Sequence, residues 1–262
     1  MTSLYVEQLE KSFRDGASNE PVPVLSAVSL KIDGPAVVSI VGPNGVGKTT
    51  FLRLVAGVLQ ADRGTILIDG EPPSRCQIGY VPQSNPVFPW RRVEDDIAIP
   101  LEILGLPRNE RRAHVLRLVN HFSFDLPLQR RTHGLSGGQR QLVNLCRALV
   151  GPEPPKVLLL DEPFAALDVT ARQEFLDHLQ RIYSEFKPLV FLTTHQLDLA
   201  VLSADMVLPF RKRPVNCSGG QLIPVPIPRP RTTELRASSI FQGILAAVET
   251  AFRKLSTPGG TE

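Results

Sequence analysis

Residues 36–50 read AVVSIVGPNGVGKTT. The continuous apolar run that opens the segment suits a strand buried on both faces. The turn Gly42–Thr50 matches G-x-x-x-x-G-K-[ST], and a helical pattern follows from Lys48 to Leu59. Strand, glycine loop and helix in that order confine the chain to a narrow set of α/β architectures. Glycines let the backbone wrap anionic oxygens, and the first N–H groups of the helix face them. Lys48 is then expected to reach the β- and γ-phosphates of a nucleotide, with Thr49 a ligand to Mg2+.

The flanking pattern agrees. Leu4, Val6 and Leu9, then Val24, Leu25, Val28, Leu30 and Ile32, predict antiparallel strands joined by a polar loop over Asp15–Pro23. GTILIDG (64–70) and IGYVPQ (78–83) predict short strands, and KVLLLDEP (156–163) and LVFLTTH (189–195) predict two more buried ones. Helical periodicity fills much of 93–150 and then 170–186, so strands and helices alternate around a parallel core. The stretch from about 84 to 150 is expected to be a helical insertion. In VLLLDEP the strand ends in carboxylates at the edge where parallel sheets bind ligands. Asp161 is expected to hold the metal and Glu162 to act on an attacking water; the competing role for such a pair is a helix N-cap.

Four letters occur twice. After the first Ser-Gly-Gly-Gln (136–139), Leu142, Leu145, Cys146 and Leu149 fall on one helix face, which makes Ser136 an N-cap. Its helix end is a second anion site, worth about 0.3–1 kcal/mol per charge. After the second copy (218–221), prolines at 224, 226, 228 and 230 forbid a helix. That copy is expected to be a plain turn. The proline-rich stretch predicts extended chain, and a final helix over about 238–255 is expected to present Ile240, Ile244, Val248 and Phe252 on one face.

Over nearly the whole length these residues resemble the ATP-binding subunit of ABC transporters. GPNGVGKTT resembles its Walker A, Gln83 its Q-loop, LSGGQ (135–139) its signature, VLLLDEP its Walker B, ALD (166–168) its D-loop and His195 its switch histidine. The resemblance implies a P-loop NTPase (RecA-like) core with an antiparallel β-subdomain and an inserted helical subdomain. It implies a cassette over 1–223, followed by a proline-rich segment and amphipathic helix over 224–262. It assigns nucleotide contacts to Gly42, Pro43, Asn44, Gly45, Val46, Gly47, Lys48, Thr49, Thr50, Gln83 and Asp168. It adds Ser136, Gly137, Gly138 and Gln139 from a second, head-to-tail subunit. Glu162, His195 and Lys48 become the catalytic set, and Thr49, Gln83 and Asp161 the Mg2+ set. The adenine-stacking aromatic falls at Phe13, whose alternative role is a core strand residue.

The region 87–112, VFPWRRVEDDIAIPLEILGLPRNERR, faces the permease in that family, so Trp90 is expected to mark the permease contact. Its PW and V-x-D-x-I, with RPR at 229–231, resemble the ATPases of nitrate, sulfonate and taurine importers. Asp96 stands where Asn is common there, and HQLDLA (195–200) lacks the usual acidic-rich turn. An exporter subunit and a soluble, non-transport ATPase remain alternative readings.

Composition narrows the partners. Across 262 residues the net charge is +3, too weak to argue for nucleic acid. Three cysteines, Cys76, Cys146 and Cys217, show no metal or disulfide spacing. The N-terminus lacks a signal-type apolar segment, and no apolar run approaches the roughly 20 residues of a spanning helix. The expected location is peripheral, on the cytoplasmic face of the plasma membrane, through a permease.

Overall fold

The computed structural model describes residues 2–16, 18–74, 77–84, 86–217 and 221–254. The chain forms two units, one from residues 1–75 with 189–262 and the other from 76–188. Ser218, Gly219 and Gly220, the core of the second SGGQ, lie outside the described residues, as does Cys76.

The first unit opens with an antiparallel sheet of order β2-β1-β4. Strand β1 (Ser3–Arg14) pairs with β2 (Pro21–Asp33) and with β4 (Arg63–Ile68). Leu4, Val6 and Leu9 are all buried, although Leu9 stands at odd spacing from the other two. Strict alternation would send Leu9 to the opposite face. A bulge between Val6 and Leu9, with Gln8 at φ 47°, absorbs the extra residue and returns Leu9 to the core. The turn before β2 is shorter than the predicted loop: Asp15 N–H bonds the Glu20 carbonyl at 2.9 Å, and pairing resumes at Pro21.

The second sheet of this unit is built on β3 (Val37–Val41), parallel to β7 (Leu189–Thr194) on one side and to β8 (Met206–Pro209) on the other. Every residue of β3 and β7 is buried, as expected of parallel strands covered on both faces. A two-residue β9 (Ile223–Pro224) adds antiparallel to β8. Helix α1 (Lys48–Val55) is shorter than the pattern predicts, because Val58 and Leu59 both turn back onto the Arg53 carbonyl. Its Phe51 packs edge-on against Phe191 and Phe210, with centroids 6.1 and 5.7 Å away. Helix α7 (Leu197–Ser203) follows β7; its Asp198 pairs with Arg236 at 2.9 Å, so its first-turn acid serves packing.

The C-terminal helix α8 (Ser239–Lys254) forms as predicted, with Ile244, Val248 and Phe252 turned inward and Ile240 turned out. Ile240 is 69 % exposed, and the inward side chains are Phe241 and Val248, flanked by half-buried Ile244, Leu245 and Phe252. The predicted four-residue steps each overshoot a full turn by about 40°, so they spiral off any one face. The steps 241, 245, 248 and 252 alternate four and three and stay aligned.

In the second unit, β5 (Ile78–Val81) runs parallel to β6 (Val157–Leu160). Between them come α2 (Val93–Ile97), α3 (Ile99–Ile103), α4 (Arg108–His121) and α5 (Gly137–Leu149). Helix α6 (Val169–Phe186) follows β6. Leu142, Leu145, Cys146 and Leu149 are buried along α5, as their spacing predicts. Among the described residues, no helix is long and apolar enough to cross a membrane.

Candidate functional site

In the first unit the glycine loop leaves β3 and enters α1. At Gly42 a Cβ would lie 1.8 Å from the Phe210 carbonyl oxygen, so no side chain fits where the loop passes β8. Gly47 is the N-cap residue of α1 at φ 128°, a conformation that L side chains rarely adopt. The first turn of α1 carries no acidic residue and no side-chain cap, so its N-terminus remains electropositive. Lys48 is buried there, and its ammonium donates to the carbonyls of Gly42 (2.8 Å) and Pro43 (3.2 Å). Pro43, Asn44 and Gly45 are exposed, Val46 is buried, and Thr49 and Thr50 are half-buried. A cation centred in a loop at a helix N-terminus is a cradle for a polyphosphate.

Two further predicted residues belong to this unit. His195 follows the last residue of β7 and is exposed. Phe13 is 44 % exposed near the end of β1, with the Lys11 ammonium 5.7 Å from its ring centroid. Its alternative role as a core residue is therefore ruled out.

In the second unit, β6 delivers Asp161 and Glu162 in succession, both buried. Asp161 N–H donates to the Val81 carbonyl at 2.9 Å, which extends the β5–β6 pairing by one bond. Glu162 sits at φ 48°. That left-handed conformation costs a non-glycine residue on the order of 1 kcal/mol. A strained, buried carboxylate immediately after a parallel strand is a placement found at functional sites. Neither residue caps a helix: the N-cap of α6 is Asp168, whose carboxylate accepts the Ala171 N–H at 2.9 Å. Gln83 lies exposed in the turn after β5.

The first Ser-Gly-Gly-Gln forms the predicted helix start. Ser136 and Gln139 make a reciprocal capping box, with both bonds at 3.2 Å. The amides of Gly137 and Gly138 precede the first intrahelical bond, as an anion-facing helix end requires. Beside this turn is a cavity of about 410 Å³, lined in part by Ser136, Gln139, Glu174, Asp177, His178 and Arg181. Burial first, and then the charge of Arg181, draw His178 down to about 4, against a smaller opposing effect of Asp177.

That shift has a sign. Between about pH 6.5 and 4 the unfolded chain binds a proton at position 178 that the folded chain refuses, so stability falls as pH falls across this window. His178→Gln is expected to reduce the stability lost across this window by on the order of 1 kcal/mol after solvent screening. Melting temperatures of both chains measured across the window check it, and parallel curves would refute it.

The sequence did not reveal the frame around Trp90, which is 67 % exposed. Phe88 N–H donates to the Asp96 carboxylate at 2.8 Å, and Thr132 Oγ1 donates to the Phe88 carbonyl at 2.6 Å. Asp96 also pairs with Arg147 of α5. Asp96 is one of three consecutive acids in α2 and Arg147 one of two arginines in α5, and nothing local joins them. Among the described residues, no cluster of three His, Cys, Asp or Glu forms a metal site.

A phosphate loop entering a helix, a carboxylate pair after a parallel strand and a capped Ser-Gly-Gly helix end are features of the ATP-binding cassette, a class of P-loop ATPase. The family model described as ABC transporter matches residues 25–165, and the chain belongs to that family as an ATP-binding, ATP-hydrolysing cassette. It is 38 % identical over 215 residues to the taurine import ATP-binding protein TauB of Pseudomonas savastanoi pv. phaseolicola, covering 79 % of this chain and 78 % of that one. The protein of the same name from Pseudomonas putida is 36 % identical over 211 residues, with 79 % and 78 % covered. Among solved structures, the dimeric MJ0796, a bacterial ABC transporter cassette, matches in fold with a TM-score of 0.72 at 24 % identity, over 85 % of this chain and 98 % of that one. CbiO1 from Clostridium perfringens, part of the ABC transporter complex CbiONQ, matches with a TM-score of 0.68 at 26 % identity, over 97 % and 98 %.

Proposed function

We propose that this chain is the energy-coupling ATPase subunit of an importer for a small oxyanion-bearing solute, in the class of nitrate, sulfonate or taurine. The observation that carries the reading is similarity to taurine import ATP-binding proteins over 79 % of the chain. The exposed aromatic turn at Trp90 supports it.

Lys48 and the loop amides offset charge that develops on the γ-phosphate during in-line attack by water. Pro43, Asn44, Gly45, Val46 and Thr50 shape the cradle. Thr49, Gln83 and Asp161 offer the hard oxygen ligands that Mg2+ prefers; the ion, when bound, neutralises phosphate charge. Glu162 orients and polarises the water, and His195 contacts the γ-phosphate. Phe13 stacks on adenine from an exposed strand end. Ser136, Gly137, Gly138 and Gln139 close from a second copy or close homologue, beside Asp168. The assembly works at the cytoplasmic face of the plasma membrane, docked on its permease and not on nucleic acid.

Trp90 and Phe88 present adjoining exposed rings, 5.5 Å between centroids. Tryptophan is enriched among binding hot spots. Trp90→Ala is expected to weaken permease association by about 30-fold or more, equivalent to about 2 kcal/mol, with the melting temperature of the isolated chain unchanged. Co-purification from membranes, followed by solute-dependent ATPase assay of the reconstituted complex, tests the reading. A chain that never associates with a membrane subunit would sink it.

A further inference from the structure

The turn that carries Trp90 is held from behind by two charges of opposite sign. Asp96 is 0 % exposed. One carboxylate oxygen accepts the Phe88 N–H at 2.8 Å, and the other pairs with the Arg147 guanidinium. Arg147 also donates to the Asp96 carbonyl (3.3 Å) and to the Pro86 carbonyl (2.8 Å). From the far side, the Phe88 carbonyl accepts from Thr132 Oγ1 and from the Arg91 N–H at 2.9 Å, which closes a four-residue turn with Pro89 and Trp90 at its centre. Both polar groups of the Phe88 backbone, two residues before Trp90, are thus hydrogen-bonded.

Arg147 belongs to the helix that starts at the Ser136–Gln139 capping box. Gly137 and Arg147 are separated by about 15 Å along a single straight helix. The buried stripe of α5 makes that helix a stiff rod. Burial first, and then neighbouring Arg91, draw the Arg147 guanidinium down to about 10, which leaves it charged at neutral pH.

We propose that Asp96 and Arg147 are positioning residues that turn a displacement of α5 at its nucleotide end into a displacement of the Trp90 turn. This rests on the reading above of Ser136–Gly138 as a nucleotide contact and of Trp90 as the permease contact. The carboxylate matters because it faces two donors. An asparagine offers one acceptor oxygen, and its amide would oppose the N–H of either Phe88 or Arg147, so one of the two bonds would be lost.

Trp90 is the only tryptophan of the chain, so intrinsic fluorescence reads the turn directly. The full-length protein is titrated with a non-hydrolysable ATP analogue and Mg2+, and its emission spectrum is expected to change as the site saturates. Arg147→Met is expected to bind the analogue within about threefold of the parent and to lose the emission response. In the reconstituted complex its permease-stimulated ATPase is expected to fall about fivefold or more. Asp96→Asn is expected to give a response between the two. Parent emission that ignores saturating analogue, or variants that respond in full, would overturn the proposal. If Arg147→Met loses binding and response together, Asp96→Asn decides: intact binding with a reduced response supports the linkage, and a full response overturns it. Docking is scored separately by association of Trp90→Ala with the permease, so its failure is distinguishable from failure of the linkage.

Discussion

Glu162→Gln is expected to keep ATP binding and lose about 10²–10⁴-fold in turnover. The substitution preserves the shape and removes the charge. What disappears is the ability of a buried carboxylate to polarise water and accept its proton. Glu162 is suited to that work because it is buried and because its backbone is held at φ 48°, a conformation local sequence does not favour. Gln tolerates that backbone about as well as Glu, so the loss should appear in kcat with little change in stability or nucleotide affinity. Single-turnover ATPase assays beside equilibrium nucleotide binding separate the two quantities. Near-normal turnover would remove Glu162 from the mechanism.

Arg231→Ala is expected to destabilise the first unit by about 3–5 kcal/mol, because it leaves several buried carbonyls without their donor. Arg231 is buried inside the proline-rich tail. It donates to the carbonyls of Val201 (3.1 Å), Ala204, Val225 (3.4 Å) and Ile227, and pairs with Asp205 at 3.2 Å. Asp205 also holds Arg229 at 3.0 Å, and its other oxygen accepts the N–H of Val37, the first residue of β3, at 2.9 Å. The tail is therefore tied to the strand that delivers the phosphate loop. Arg231→Lys should recover only part of the loss, since a point charge cannot replace a planar fork that serves several carbonyls. Arg229→Ala, at a partly exposed pair, should cost about 1 kcal/mol. Urea midpoints rank the three, and equal midpoints for Arg231→Ala and the parent would contradict the clasp.

Much of this molecule is legible in its sequence, for a physical reason. Walls of apolar residues such as VVSIV and VLLL admit one kind of strand, and the glycines and Lys-Thr pair of the loop admit one kind of turn. The start of α5 was legible because Ser136, Gln139 and the stripe behind them act within a few residues of each other. Features that depend on distant partners were hidden. The shared grip of Asp96 on Phe88 and Arg147, and the burial of Arg231, join positions that only folding brings together. Ile240 leaves the face of Ile244 and Val248 because evenly spaced apolar residues do not stay aligned over three steps of four. Phe13 shows the converse: a general tendency to bury aromatics gave way to an exposed strand end.

The order of the segments along the chain sets a timetable for biosynthesis. The first unit is discontinuous, with residues 76–188 interposed between its halves. On the ribosome β3 is made early, yet its parallel partners β7 and β8 emerge only after the whole intervening unit. At the usual pace of translation that interval is roughly ten seconds. During it an apolar strand with no face meant for water has no neighbour to pair with. The nascent chain should therefore be a client of ribosome-associated chaperones until the last third is released, and slowing translation within residues 76–188 should lower the yield of soluble protein.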